Sequence, residues 1–340
     1  MSRKEVQVGL IGTGRIGKLH AENLATRIRS ARLAGVADIN LAAAKVVADQ
    51  LNIPLAAADY RRLLEAPAIE AIVICSSTQT HAQIIEEAAA HGKHVFCEKP
   101  VDLDLKRIRA ALDAVAKAGI KFQIGFNRRF DPSFAKAREL VAGGRIGKPQ
   151  IVRITSRDPA PPPLEYVRVS GGLFLDMAIH DFDMIRFLTG SEAVEIYAAG
   201  AALVDPEIGK LGDVDTCIVT LRLQNGILAT IDNSRKAVYG YDQRIEVFGS
   251  AGMVAVSNRP LDHHTCVDAE GGHAAKPQNF FLDRYQESYV AEMTSFIGSI
   301  LDDSIPPVTG EDGFIPVVMG LAAKKSLQEN RPVRVSEVYS

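Results

Sequence analysis

Charge of one sign, paired cysteines and long apolar runs are all missing from this chain of 340 residues. Its 39 Lys and Arg nearly balance 41 Asp and Glu, for a net charge of −2. That excludes the broad positive field that nucleic-acid binding needs. The local basic stretch Arg27, Arg29 and Arg32 reads as a solvated helix end and loop. No apolar run reaches the ~20 residues of a membrane-spanning helix, so no membrane association is expected. The cysteines, Cys75, Cys97, Cys217 and Cys266, have no C-x-x-C spacing. Cys75 and Cys97 fall in apolar strand runs and are expected to be buried and reduced. The first strand begins by Val6, which leaves no room for a signal peptide, and there is no internal repeat. The expectation is a soluble, cytoplasmic protein. With 47% hydrophobic residues, a chain of this length can bury the cores of two domains.

What is present begins with Gly12-Thr13-Gly14-Arg15-Ile16-Gly17. The apolar run Val6 to Ile11 reads as a buried strand, and apolar residues at helical intervals follow from Ile16 to Leu24. Strand, glycine turn and helix N-terminus come in the order a dinucleotide pyrophosphate requires. Gly12 permits the tight turn, Gly14 lets backbone N–H groups approach phosphate, and Gly17 allows close packing. The helix dipole then favours the anion. A second apolar run, Leu33 to Ala37, ends in Asp38, 21 positions after Gly17. An acidic residue there binds adenosine ribose hydroxyls and repels a 2′-phosphate, so NAD is favoured over NADP.

Strands and helices alternate through the first third: strands at Ala71–Cys75, His94–Cys97 and Lys121–Gly125, helices at Leu41–Leu51, Ala82–His91 and Leu103–Ala118. The pattern predicts six strands with helical crossovers, a doubly wound parallel sheet. From Ile151 strands dominate: Ile151–Ser156, Ala193–Ala199, Thr216–Leu223, Ile227–Asn233, Arg244–Phe248 and Val254–Ser257. Gln224-Asn225-Gly226 is a hairpin signal. The fold class is α/β. A Rossmann domain over 1–125 precedes an α+β domain over 126–340 that carries a large, mostly antiparallel open sheet.

One helix, Gly171 to Leu188, is inserted in that sheet, with Asp176 and His180 at i and i+4 on one face. A carboxylate one turn from an imidazole can fix its tautomer and keep it basic. The pair also fits two plainer readings, a satisfied core histidine and part of a metal site. No third ligand is evident, and no metal is expected. Lys99 directly follows a strand at the carboxyl end of the sheet, where ligands bind, and Pro100 restricts its backbone.

These residues resemble the glucose-fructose oxidoreductase and inositol dehydrogenase superfamily over nearly the whole chain. The match runs through Gly12–Gly17, Glu98-Lys99-Pro100, and Gly171-Gly172 to Asp176 and His180. Four stretches are similar to the inositol 2-dehydrogenases within it: Gly125 to Asp131, Thr155 to Pro159, Asp176 to Asp183, and Tyr239 to Arg244. The resemblance implies NAD-dependent oxidation of myo-inositol to 2-keto-myo-inositol, with Lys99, Asp176 and His180 as the catalytic set. His180 would be the general base, Asp176 would orient it, and Lys99 would hydrogen-bond the reacting oxygen and the nearby cofactor ribose. It further implies that Ser76, Thr78, His81 and Glu98 join the glycine turn and Asp38 at the cofactor. Asn127, Arg128, Asp158 and either Tyr239 or Tyr241 would line the substrate pocket. The family's open sheet implies a homo-oligomer, a dimer or tetramer. Dehydrogenases for scyllo- or chiro-inositol or a pyranose, and a non-catalytic NAD-sensing regulator, stay open as alternatives. So does an acidic sugar clamped by Arg128 and Arg129.

Overall fold

A computed structural model describes residues 5–339. They divide into two compact units, one running to Phe130 and including Glu287–Ile315, the other comprising Asp131–Gln286 and the segment from Pro316 onward.

The first unit is a six-stranded parallel sheet of β1 (Val6–Ile11), β2 (Ala31–Ala37), β3 (Leu55–Ala57), β4 (Ala71–Ile74), β5 (His94–Glu98) and β6 (Phe122–Gly125). The spatial order is 3-2-1-4-5-6, the doubly wound arrangement in which ligands sit at the strand carboxyl ends. β4 is buried at every position, as expected of a parallel strand covered on both faces. The short β3 carries no periodic signal of its own. The segment 287–315 departs from a single division of the chain at residue 125. Met293, Phe296 and Ile297, on the helix Gln286–Leu301, belong to the same apolar cluster as Val8, Leu10, Leu24 and Phe96. Apolar burial, which scales with area and not with chain order, returns this segment to the first unit.

The second unit holds a seven-stranded sheet: β7 (Pro149–Arg157), β8 (Ala193–Ala201), β9 (Thr216–Leu223), β10 (Leu228–Ser234), β11 (Asp242–Gly249), β12 (Gly252–Val256) and, far along the chain, β15 (Val333–Arg334). Its order is β12-β11-β7-β10-β9-β8-β15. Only β7 and β10 pair in parallel among these neighbours. Burial alternates along β9 and β10, so one face is packed and the other is open. The β9–β10 turn places Gly226 at φ +86°, the left-handed conformation that favours glycine there. A small separate hairpin, β13 (Thr265–Asp268) and β14 (Gly271–Ala274), was not legible as strands. Cys75, Cys97 and Cys217 are buried thiols and Cys266 is exposed. Among the described residues no helix is long and apolar enough to cross a membrane.

Candidate active site

In the first unit the glycines divide by what surrounds them. A Cβ on Gly12, at φ +94°, would lie 2.6 Å from the backbone of Cys75 and Ser76. One on Gly17 would lie 1.9 Å from the carbonyl oxygen of Gly12. Gly14 has nothing within 4 Å of that position. Gly12 and Gly17 thus let the turn close on itself, while Gly14 and Arg15 are exposed and Ile16 is half-buried at the start of the helix Arg15–Thr26. That opening before a helix N-terminus fits a pyrophosphate group.

Asp38 is tied to the turn. The Thr13 amide and hydroxyl donate to its Oδ2 at 2.7 and 2.9 Å, and the Asn40 amide donates to Oδ1 at 2.9 Å. Burial pushes the Asp38 carboxyl up, but these hydrogen bonds outweigh it and hold the group below the ordinary range. Ile39, 96% exposed, stands beside it. An apolar side chain so placed offers a face for a flat ring, a signal that lies in the sequence only as one hydrophobic residue in a polar loop.

Ser76 and Thr78 are half-buried at the carboxyl end of β4, with the Ser76 and Thr80 hydroxyls 2.7 Å apart. His81 is buried. Its Nδ1 lies 2.8 Å from the Pro100 carbonyl oxygen and its Nε2 2.9 Å from that of Ser76. Burial lowers its pKa more than the two carbonyls raise it. The geometry makes His81 a brace between two loops. Glu98 ends β5 and Lys99 follows it, half-buried. Asn127 and Arg128 are buried in the short 3-10 turn Asn127–Phe130. Arg129 donates to Asp312 at 2.8 Å.

The second unit carries the remaining residues. The helix expected over 171–188 is broken. Leu173–Asp176 is a single turn and Ile179–Thr189 is a separate helix. Between them the Ala178 amide reaches back to Leu173 and the His180 amide only to Met177. Asp176 and His180 therefore flank a kink and do not share one continuous helix face. The first turn opens on Gly172, at φ +84°, where a Cβ would press on the Asp213 carboxylate at 2.7 Å. Asp213 itself accepts from the Leu173 amide at 3.1 Å and so caps the first turn.

Asp176 is held by two residues that local pattern does not reveal. The Tyr166 hydroxyl donates to Oδ1 at 2.8 Å, and Arg235 Nη1 and Nη2 each donate to Oδ2 at 3.2 Å. Arg235 is 1% exposed and its Nη1 lies 4.0 Å from Asp158. The Asp158 backbone pairs with Ser234 and Ala237, beside Arg235. Asp181 accepts from Ser156 at 2.6 Å and from Asn233 at 2.8 Å, which fixes the second helix on β7 and β10.

The two tyrosines separate clearly. Tyr241 is buried, edge-on to Tyr285 at 6.0 Å. Tyr239 is 40% exposed, and its hydroxyl donates to Asp242 at 2.6 Å and accepts from Arg157 at 3.2 Å. Arg157 is itself paired with Asp232. Burial and the bond to Asp242 push the Tyr239 phenol up.

Comparison with known proteins agrees with this division. Residues 6–126 match the oxidoreductase family described as NAD-binding Rossmann fold. Residues 134–255 match the GFO/IDH/MocA C-terminal domain. The chain is 48% identical to a protein of Thermotoga maritima named myo-inositol 2-dehydrogenase, across 98% of this chain and 99% of that one. It is 45% identical to an inositol 2-dehydrogenase of Rhizobium meliloti, across 97% and 99% respectively. A scyllo-inositol dehydrogenase of Lactobacillus casei, solved with bound NAD(H) and scyllo-inositol, superposes with a TM-score of 0.92 at 34% identity, covering 98% of this chain and all of that one (100%).

Proposed function

The chain belongs to the GFO/IDH/MocA family of NAD-binding oxidoreductases, and on that premise we propose that it oxidises myo-inositol to 2-keto-myo-inositol. The observation that carries this reading is its end-to-end similarity to the Thermotoga maritima myo-inositol 2-dehydrogenase. The open space at Gly14, closed in by Gly12 and Gly17, supports NAD as the cofactor. Asp38 supports NAD over NADP, since a carboxylate below its ordinary pKa repels a 2′-phosphate.

NAD, when bound, supplies the acceptor for the hydride that leaves the carbinol carbon. His180 takes the hydroxyl proton, for which it must be neutral. Asp176, held by Tyr166 and Arg235, orients His180. Lys99 donates to the reacting oxygen and favours the developing alkoxide. Asn127, Arg128, Asp158 and Tyr239 offer hydrogen-bonding groups to a ring that carries hydroxyls on every side. Of the two tyrosines, Tyr239 is the exposed one and Tyr241 is buried. Arg129, engaged by Asp312, supports a neutral cyclitol over an acidic sugar clamped by two arginines. The presence of Lys99, Asp176 and His180 together supports an enzyme over an NAD-sensing regulator, which needs neither of the last two.

The open face of the second sheet exposes Ile218, Leu228, Phe248 and Met253, each at least 43% accessible. An apolar face of this kind supports assembly into a dimer or tetramer. Unpaired thiols support a cytoplasmic location.

Purified enzyme with NAD and a panel of inositols, sugars and uronic acids tests the substrate, read as NADH absorbance. Myo-inositol is expected to give the highest kcat/KM. Preference by about tenfold, or 1.4 kcal/mol, for scyllo-inositol, a pyranose or a uronic acid would overturn the substrate and leave the dehydrogenase chemistry standing.

A further inference from the structure

Behind the Lys99 turn lies a buried polar cluster that the chemistry above does not use. His20 and Glu292 are completely buried, and Glu98 is nearly so at 12% side-chain exposure. His20 Nε2 lies 2.7 Å from Glu98 Oε1 and 4.0 Å from Glu292 Oε1. Neither carboxylate oxygen of Glu292 has a hydrogen-bond partner. The three side chains come from three elements: the helix that leaves the glycine turn, the end of β5, and the helix Gln286–Leu301.

Each member is fixed from outside the cluster. The His20 ring packs edge-on against Phe96 and Tyr289 at 5.3 and 5.6 Å. Gly125, paired in register with Glu98 on β6, leaves only tight space for a side chain. A Cβ there would lie 3.0 Å from Glu98 Oε2. Two residues earlier on β6, Gln123 donates to the Glu292 carbonyl at 2.9 Å and anchors the third element.

Three metal-capable atoms within 4.8 Å of one another raise the question of an ion. The spacing answers it. Two ligands of one tetrahedral zinc, with bonds of about 2.0–2.2 Å, stand about 3.3 Å apart. The 2.7 Å between His20 and Glu98 is instead an ordinary N–H···O hydrogen bond, with His20 donating. Two ionised carboxylates in so dry a place are costly. Burial, and then the charge of Glu98, push the Glu292 carboxyl well up, which favours its protonated form.

We propose that His20, Glu98 and Glu292 form a positioning brace that ties the helix of the glycine turn to the end of β5 and so fixes the place of Lys99. His20 stands three residues after Gly17, and Glu98 immediately precedes Lys99. The brace therefore couples the cofactor cradle to the lysine. The proposal rests on the role given to Lys99 above. The three residues are positioning residues and act through it.

The test uses the full-length enzyme with NAD and myo-inositol, comparing His20→Phe, His20→Gln and Lys99→Met. Phenylalanine keeps the ring contacts and removes the donor, while glutamine restores an N–H donor. His20→Phe is expected to lower kcat by about ten- to a hundredfold, as small misplacements do, with NAD affinity within about threefold by NADH fluorescence. His20→Gln is expected to recover most of the loss. If His20→Phe does not accumulate as folded protein, His20→Leu carries the same comparison. A wild-type kcat with only a lowered melting temperature would overturn the brace, as would equal losses in NAD binding and kcat. One equivalent of zinc or manganese retained after dialysis against chelator would replace it with a metal site. Full turnover by Lys99→Met would remove the role of Lys99, and the proposal with it. Loss in Lys99→Met with none in His20→Phe would remove the brace alone.

Discussion

Arg235, 59 residues after Asp176 in the chain, places both terminal guanidinium nitrogens 3.2 Å from one oxygen of that carboxylate. The guanidinium is buried, so the pair is not screened like a surface ion pair. Removing one partner of a buried pair leaves the other charge uncompensated, at a cost of about 3–5 kcal/mol. Arg235→Met is therefore expected to destabilise the fold by about 3 kcal/mol in urea unfolding and to lower kcat. Arg235→Lys should retain stability better than Met, yet still lose turnover, because an ammonium cannot reproduce the guanidinium's planar set of donors. Wild-type kcat in both variants would show that Asp176 needs no such support.

Gly14 and Gly17 should respond oppositely to alanine. Gly17→Ala drives a methyl to 1.9 Å from a carbonyl oxygen, so loss of folding or a severe drop in melting temperature is expected. Gly14→Ala meets nothing within 4 Å. It should melt with the wild type while binding NAD at least about tenfold, or 1.4 kcal/mol, more weakly. Calorimetry and NADH fluorescence separate the two effects.

Asp38→Ala is expected to weaken NAD binding and narrow the preference over NADP, because it removes the negative charge at the ribose end. It also frees Thr13, whose amide and hydroxyl both bond to Asp38. Thr13→Val removes only the hydroxyl and should shift NAD affinity by about 1 kcal/mol without changing the NAD/NADP ratio. Equal use of both cofactors by the wild type would refute the assignment.

His180→Ala and Lys99→Met should bind NAD normally. Loss of general-base catalysis in His180→Ala is expected to cost about 10²–10⁴-fold in rate. Turnover within a few fold of wild type would reject His180 as the base. Chelator treatment should leave wild-type activity intact, and a reversible loss would revive a metal at Asp176 and His180.

Glu292 sets a pH dependence of stability whose sign follows from linkage. Its folded pKa lies well above the ordinary 4.5. As pH rises past that value the unfolded chain releases a proton that the folded protein retains, so stability falls with pH. Glu292→Gln keeps the neutral shape and has no proton to lose. Its melting temperature should gain on the wild type as pH rises above the ordinary 4.5. A constant difference across that range would mean that Glu292 is ionised in the fold.

The strand–glycine–helix opening, Asp38, the alternation of strands and helices, and the change to β structure near residue 150 are all readable in order along the chain. They rest on local periodicity and on steric demands within a few residues of each glycine. Lys99 is legible for the same reason, since it immediately follows a strand. The kink between Asp176 and His180 was not legible: it shows only in the backbone bonds of Ala178 to Leu173 and His180 to Met177, which the apolar pattern of the segment does not reveal. The engagement of Asp176 by Tyr166 and Arg235 is a product of packing. So is the difference between Tyr239 and Tyr241, separated only by Gly240 yet one exposed and the other buried. His20 and Glu292 are 272 positions apart, and the return of residues 287–315 to the first unit is what brings them together. Periodicity reports which face of an element is apolar. Which distant carboxylate meets which buried nitrogen is decided only when the apolar faces have packed.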